Sequence, residues 1–103
     1  MMSDIKHART ALVARILEGE AHASATQRHA AFNNAGLAEP VRTLIDKVAK
    51  WSHKVTDEDI AAAKLAGLSE DQIFELIVCA AIGQAARQYD IALTALMAAG
   101  EKE

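Results

Sequence analysis

Apolar residues recur along the chain at spacings of three and four, the signature of helices that bury one face. Ile5, Ala8, Leu12, Val13, Ile16 and Leu17 predict a first helix over about 4–18, with Ser3 as its N-cap and Gly19 as its end. Ser24 and Gln27 have the spacing of a capping box, which opens a second helix over about 25–35. Gly36 suits the left-handed position that closes it. Pro40 reads as the first residue of a third helix over 40–54, where a missing N–H costs nothing. Val41, Leu44, Ile45, Val48, Trp51, Ser52 and Val55 form its inward stripe. Thr56, with Asp59 at N3, caps a fourth helix over 57–66. Ala66-Gly67-Leu68 closes that helix, and Ser69 with Gln72 opens a fifth over 70–99. The same Ala-Gly-Leu at 35–37 reads as reused capping chemistry and not as an internal repeat.

The fifth helix is the informative one. Gly83 alone interrupts it, so it would run about 45 Å, against a diameter of roughly 35 Å for a compact domain of this size. It must kink at Gly83 or project. From Ile73 to Ala86 only Glu75 and Gln84 break an apolar circumference, which calls for burial on every side. Four short partner helices could hardly cover it, so the pattern predicts a homo-oligomer.

Composition adds that 103 residues make one domain, 1–103, and that 51% hydrophobic with 24% charged residues suits a packed core. Twenty-three Ala against five Gly, one Pro and four aromatics describe closely packed helices, hence an all-α fold. A single cysteine excludes an intrachain disulfide and a thiolate zinc cage, and it points to a reducing compartment. Met1 to Lys6 holds no apolar signal region, and the apolar run Leu76 to Ile82 falls far short of the roughly 20 residues a membrane span requires. A cytoplasmic protein is the expectation. Residues 1–54 carry eight Lys or Arg and five Asp or Glu, whereas 55–103 carry three and nine. Five of those nine acids (Asp57, Glu58, Asp59, Glu70 and Asp71) occupy first helical turns, where the helix dipole favours them.

The fourth and fifth helices imitate a DNA-binding helix-turn-helix, with Ala63, Gly67 and Ile73 at suitable spacing. Glu70, Asp71 and Glu75 would repel phosphate, and no Lys or Arg follows before Arg87, so nucleic acid is excluded as a partner. Glu75, Cys79, Gly83 and Arg87 lie four residues apart along the fifth helix, with Gly83 as a notch for a second backbone or a ligand. As chemistry, Glu75 would be a base, Cys79 a nucleophile and Arg87 an anion clamp. As structure, Cys79 is a small core residue, and Glu75 and Arg87 pair with groups such as Lys47 or with another subunit. His53, near Trp51, would sit at a helix C-terminus, and is a further candidate ligand contact. The other histidines have no metal-ligand spacing, and no phosphate loop or serine elbow is present, so neither metal nor cofactor is expected.

The run Val55-Thr56-Asp57-Glu58-Asp59-Ile60, then Ala66-Gly67-Leu68-Ser69-Glu70-Asp71-Gln72-Ile73-Phe74-Glu75-Leu76, then Ala80-Ala81 and Arg87, resembles the closing helix pair of the carboxymuconolactone decarboxylase and alkyl hydroperoxidase D-like superfamily. The likeness covers about residues 41–97. It implies an all-α fold that assembles into dimers, trimers or hexamers. Peroxidase members of that superfamily use Cys-x-x-Cys with a histidine four residues after the second cysteine. Here Ile82 and Ala86 stand at the positions three and seven after Cys79, and no cysteine precedes it. The resemblance therefore implies a short member without the dithiol site, acting as a binding or scaffolding module with a small-molecule pocket near Glu75 and Arg87. The alternative is an enzyme, either a one-cysteine peroxidase through Cys79 or a decarboxylase-like enzyme acting on a small organic acid or lactone. A third reading makes the chain one component of a hetero-complex.

Overall fold

The computed structural model describes residues 2–101, apart from the side chains of Met2, Ser3, Ile5 and Glu101. Five α-helices follow one another: α1 (Met2–Glu18), α2 (Ala25–Asn33), α3 (Val41–Lys50), α4 (Asp57–Leu65) and α5 (Glu70–Glu101). No strand occurs among the described residues. α1 already contains Ser3, so that residue lies inside the helix it was expected to cap, and its side chain and that of Ile5 fall outside the described set.

The ends of the helices follow their local chemistry. Thr56 and Asp59 exchange both bonds of a capping box, and Ser69 and Gln72 do the same at the start of α5. Gly67, at φ +106°, closes α4 as Leu68 N–H donates to the Ala63 carbonyl and Gly67 N–H to that of Lys64, a complete Schellman end.

Three expectations need correction. α2 ends earlier than residue 35, because Asn34 and not Gly36 supplies the left-handed turn (φ +51°), its N–H and that of Ala35 closing on Ala31 and Ala30. Pro40 stands just outside α3; Glu39 caps that helix by accepting from the Thr43 N–H at 2.9 Å. α3 stops at Lys50, and a 3-10 turn, Ser52–Lys54, follows. Trp51, at φ −143°, breaks the helical period there, so its ring is 51% exposed with the Lys54 ammonium 5.2 Å from it, instead of continuing the inward stripe.

The core lies where α2 and α3 pack on the first half of α5. Leu44, Ile45, Leu76 and Cys79 are its largest fully buried side chains. α5 runs through Gly83 without interruption, so at 32 residues it spans about 48 Å. The molecule measures 55 × 29 × 20 Å, with a radius of gyration of 15.7 Å against about 13 Å for a compact chain of this length. The projecting option holds, and Gly83 has a steric role in place of a kink. A Cβ at position 83 would come within 2.0 Å of the Phe32 carbonyl oxygen, so glycine here admits the end of α2 against α5.

Candidate functional site

The loop between α1 and α2 is stitched by two charged side chains. From α2, Arg28 turns inward and is only 6% exposed. Its Nε donates to the Ala23 carbonyl at 3.1 Å, and its Nη1 to those of Ile16 and Gly19 at 3.1 and 2.8 Å. Two of these carbonyls belong to the end of α1, where the helix leaves acceptors unmatched and its dipole favours a cation. From α5, Glu75 accepts the N–H groups of His22 and Ala23 at 2.7 to 3.0 Å and meets the His22 ring at 2.9 Å. Burial alone would raise the Glu75 pKa; the two backbone N–H groups and His22 outweigh it, and the net direction is down. The His22 pKa moves up, because its ring bonds to Glu75 and Asp71 adds a second negative charge nearby.

Behind this loop lies an open cavity of about 460 Å3, walled by α1, the loop and the first turns of α5. Ile16, Phe74 and Val78 give it an apolar wall, Arg28, Glu75 and Cys79 its polar floor, and the charged side chains of Arg15 and Glu20 line it as well. Cys79 is 1% exposed and its sulfur sits 3.8 Å from the Ile16 carbonyl. Burial pushes its thiol pKa up; Arg28 pulls the other way without reversing the shift. Arg28 has no carboxylate within ion-pair distance among the described residues, and its Nη2 makes no hydrogen bond there.

The structure brings Glu75 and Cys79 together and separates Arg87 from them. Each four-residue step along a helix overshoots a full turn by about 40°, so three steps carry Arg87 about 120° around α5. It lines a different groove, with Arg9 and Asp90. There it donates to the Phe32 carbonyl at 2.7 Å and to Gln84 at 3.0 Å, capping the C-terminus of α2. Lys47 serves neither residue, being held by Asp59 at 2.9 Å. His53 is exposed in the 3-10 turn and lines neither cavity. No three His, Cys, Asp or Glu side chains gather as a metal site among the described residues, and no described helix is long and apolar enough to cross a membrane.

Arg28 is the residue that sequence reasoning missed. Its one signal was position: it sits three residues before Ala31, on a face of α2 made of small side chains. The carbonyls it serves belong to another helix, and no local pattern announces them. Compared with family models, curated proteins and solved structures, the chain matches none of them.

Proposed function

We propose that this protein is a small-molecule-binding helical module, and that the α1–α2–α5 cavity receives a short apolar molecule bearing a carboxylate. The observation that carries this reading is Arg28. Its Nε and Nη1 are met by neutral carbonyls, while its Nη2, which is not sealed from solvent, has no protein partner among the described residues, leaving at the cavity a donor and a positive charge that a carboxylate would meet. Glu75, already bonded to the His22 ring and two backbone N–H groups, does not fill that role, and Glu20, which also lines the cavity, makes no ion pair with Arg28 among the described residues. The apolar wall of Ile16, Phe74 and Val78 suits an aliphatic or aromatic body.

Cys79 belongs in this reading to the floor of the cavity and not to catalysis, since a buried thiol with a raised pKa holds little thiolate. A place in the carboxymuconolactone decarboxylase and hydroperoxidase D-like superfamily is part of the same proposal. It draws on the Val55–Ile60 and Ala66–Leu76 likeness, which coincides with the α4–α5 hairpin.

Titration of the 15N-labelled protein with hexanoate, followed by amide chemical shifts, tests the binding. Hexanoate should shift Gly19 to Ala23 and Val78, and hexanol should bind at least tenfold more weakly. Equal binding of the two would remove the role of Arg28; no shifts at millimolar hexanoate would remove the site.

A further inference from the structure

The accessible surface of the chain is 7057 Å2, whereas a compact monomer of 11.0 kDa exposes about 5,600 Å2. The excess of about 1,400 Å2 exceeds the roughly 800 Å2 that each partner contributes to a standard stable interface. Of the large hydrophobic side chains that are exposed, Phe74, Tyr89, Ile91, Leu96 and Met97 lie on α5. Phe74, Tyr89 and Leu96 are exposed there, Leu96 at 68%. With Val78, Ile82, Ala85 and Ala92 they fall at spacings of three and four, which aligns them along one side of the helix, away from Leu76, Ala80 and Arg87. This seam contains no charge. It alternates large and small residues; α1 reaches it at two points, with the Arg9 guanidinium 5.4 Å from the Tyr89 ring and Leu12 and Ile16 across the cavity from Phe74 and Val78, and leaves Phe74, Tyr89 and Leu96 exposed.

We infer that the seam is covered by a second copy of the chain, its α5 running antiparallel to the first. A two-fold axis beside residue 87 sets Phe74 against Gly100 of the partner subunit, Val78 against the partner's Leu96, Ile82 against the partner's Ala92, and Ala85 against the partner's Tyr89. In this register every bulky aromatic or β-branched seam residue except Val78 meets a glycine or an alanine. Around Gly100 an added Cβ would have nothing within 4 Å, so the Phe74 ring has room there. The paired segment is about 39 Å long, its helix dipoles oppose, and the contact closes on itself.

The pairing also completes the cavity. Phe74 and Val78 line both the seam and the cavity mouth, so the partner's Leu96 lands on its open side. This second consequence rests on the ligand reading above; the pairing does not.

Light scattering on the purified chain should give an even multiple of 11.0 kDa. Ala92→Glu, which puts a carboxylate in the seam, should reduce it to a monomer that keeps its helical circular dichroism. Under mild oxidation, Ile82→Cys protein mixed with Ala92→Cys protein should form disulfide-linked pairs, and neither should do so alone. The antiparallel offset leaves like residues about 15 Å apart along the axis. A monomeric or trimeric native chain, or Ala92→Cys crosslinking to itself, overturns the pairing. Hexanoate should bind the Ala92→Glu monomer at least tenfold more weakly than the native chain. Equal affinity overturns the closure and leaves the ligand site standing, whereas paired disulfides without hexanoate binding sustain the pairing and sink the site.

Discussion

The two halves of α5 both carry runs of apolar residues and differ in their surroundings. From Ile73 to Gly83 the helix is the spine of the core, with Ile73, Leu76, Cys79 and Ala80 shielded by α2, α3 and α4. From Gln84 onward it carries alanines and branched residues past the core; Arg87 still caps α2 and Arg9 of α1 pairs with Asp90, but Ile91 and Leu96 are 70% and 68% exposed. Apolar character along a helix thus states how much surface must be covered. Which chain does the covering is a separate matter, decided by how far the neighbouring helices reach. Here α2 and α3, of nine and ten residues, are too short to follow α5 to its end, and α1 meets its second half at the Arg9–Asp90 pair.

Truncation is the most direct way to break this contrast. Leu76→Ala should cost about 3 kcal/mol, as expected for a fully buried leucine, while Ile91→Ala should stay within about 0.5 kcal/mol. Urea midpoints of the two variants, measured in the Ala92→Glu background so that folding is read without association, provide the check. Similar losses from both would mean that the second half is packed against its own chain.

Glycines give a finer comparison, because one substitution should take opposite signs in one helix. Replacing a helical glycine with alanine ordinarily gains up to about 1 kcal/mol. Gly100→Ala, in open space, should be neutral or gain in the Ala92→Glu background. Gly83→Ala should instead cost about 2 kcal/mol, since the Phe32 carbonyl is backbone and cannot step aside without displacing α2. Thermal midpoints of the two variants, in that same background, test the pair; a stabilised Gly83→Ala would refute the close approach.

The smallest effect concerns the loop beneath the buried half. His22 is raised above its ordinary value near 6.5, so its contribution is complete below that pH and fades as pH climbs through the folded-state value. Glu75 is lowered, so its contribution is complete above the ordinary carboxylate range and fades as pH falls through its own folded value. The loop is held best between those limits, at about pH 5 to 6. An NMR titration should place the His22 ring above the ordinary histidine value, and Glu75→Gln should bring it back down. An unmoved His22 in that variant would dismiss the pairing as the cause.

What could be read in advance follows the range of the forces involved. The α4–α5 turn was legible residue by residue, because Thr56, Asp59, Gly67, Ser69 and Gln72 act on backbone groups within a few positions. Gly83 was legible as a notch, and the backbone that enters it is that of Phe32. The end of α3 was not, since the residues after Lys50 keep an apolar spacing while Trp51 has left the helix. Arg87 shared a column with Glu75 only on paper, the helix having turned by the time it is reached. Arg28 was invisible for the opposite reason, as its partners are carbonyls that any residue could have provided.

Glu75 fastens a loop 53 residues before it. As the chain leaves the ribosome, α1 and α2 emerge before any group exists that can accept the amides of His22 and Ala23. Until the last helix is made, the N-terminal hairpin has the Arg28 bonds to Ile16, Gly19 and Ala23 to hold its loop, but not those of Glu75. The cavity behind that loop is among the final features of the molecule to take shape, since its wall is complete only in chains whose synthesis has run past residue 79.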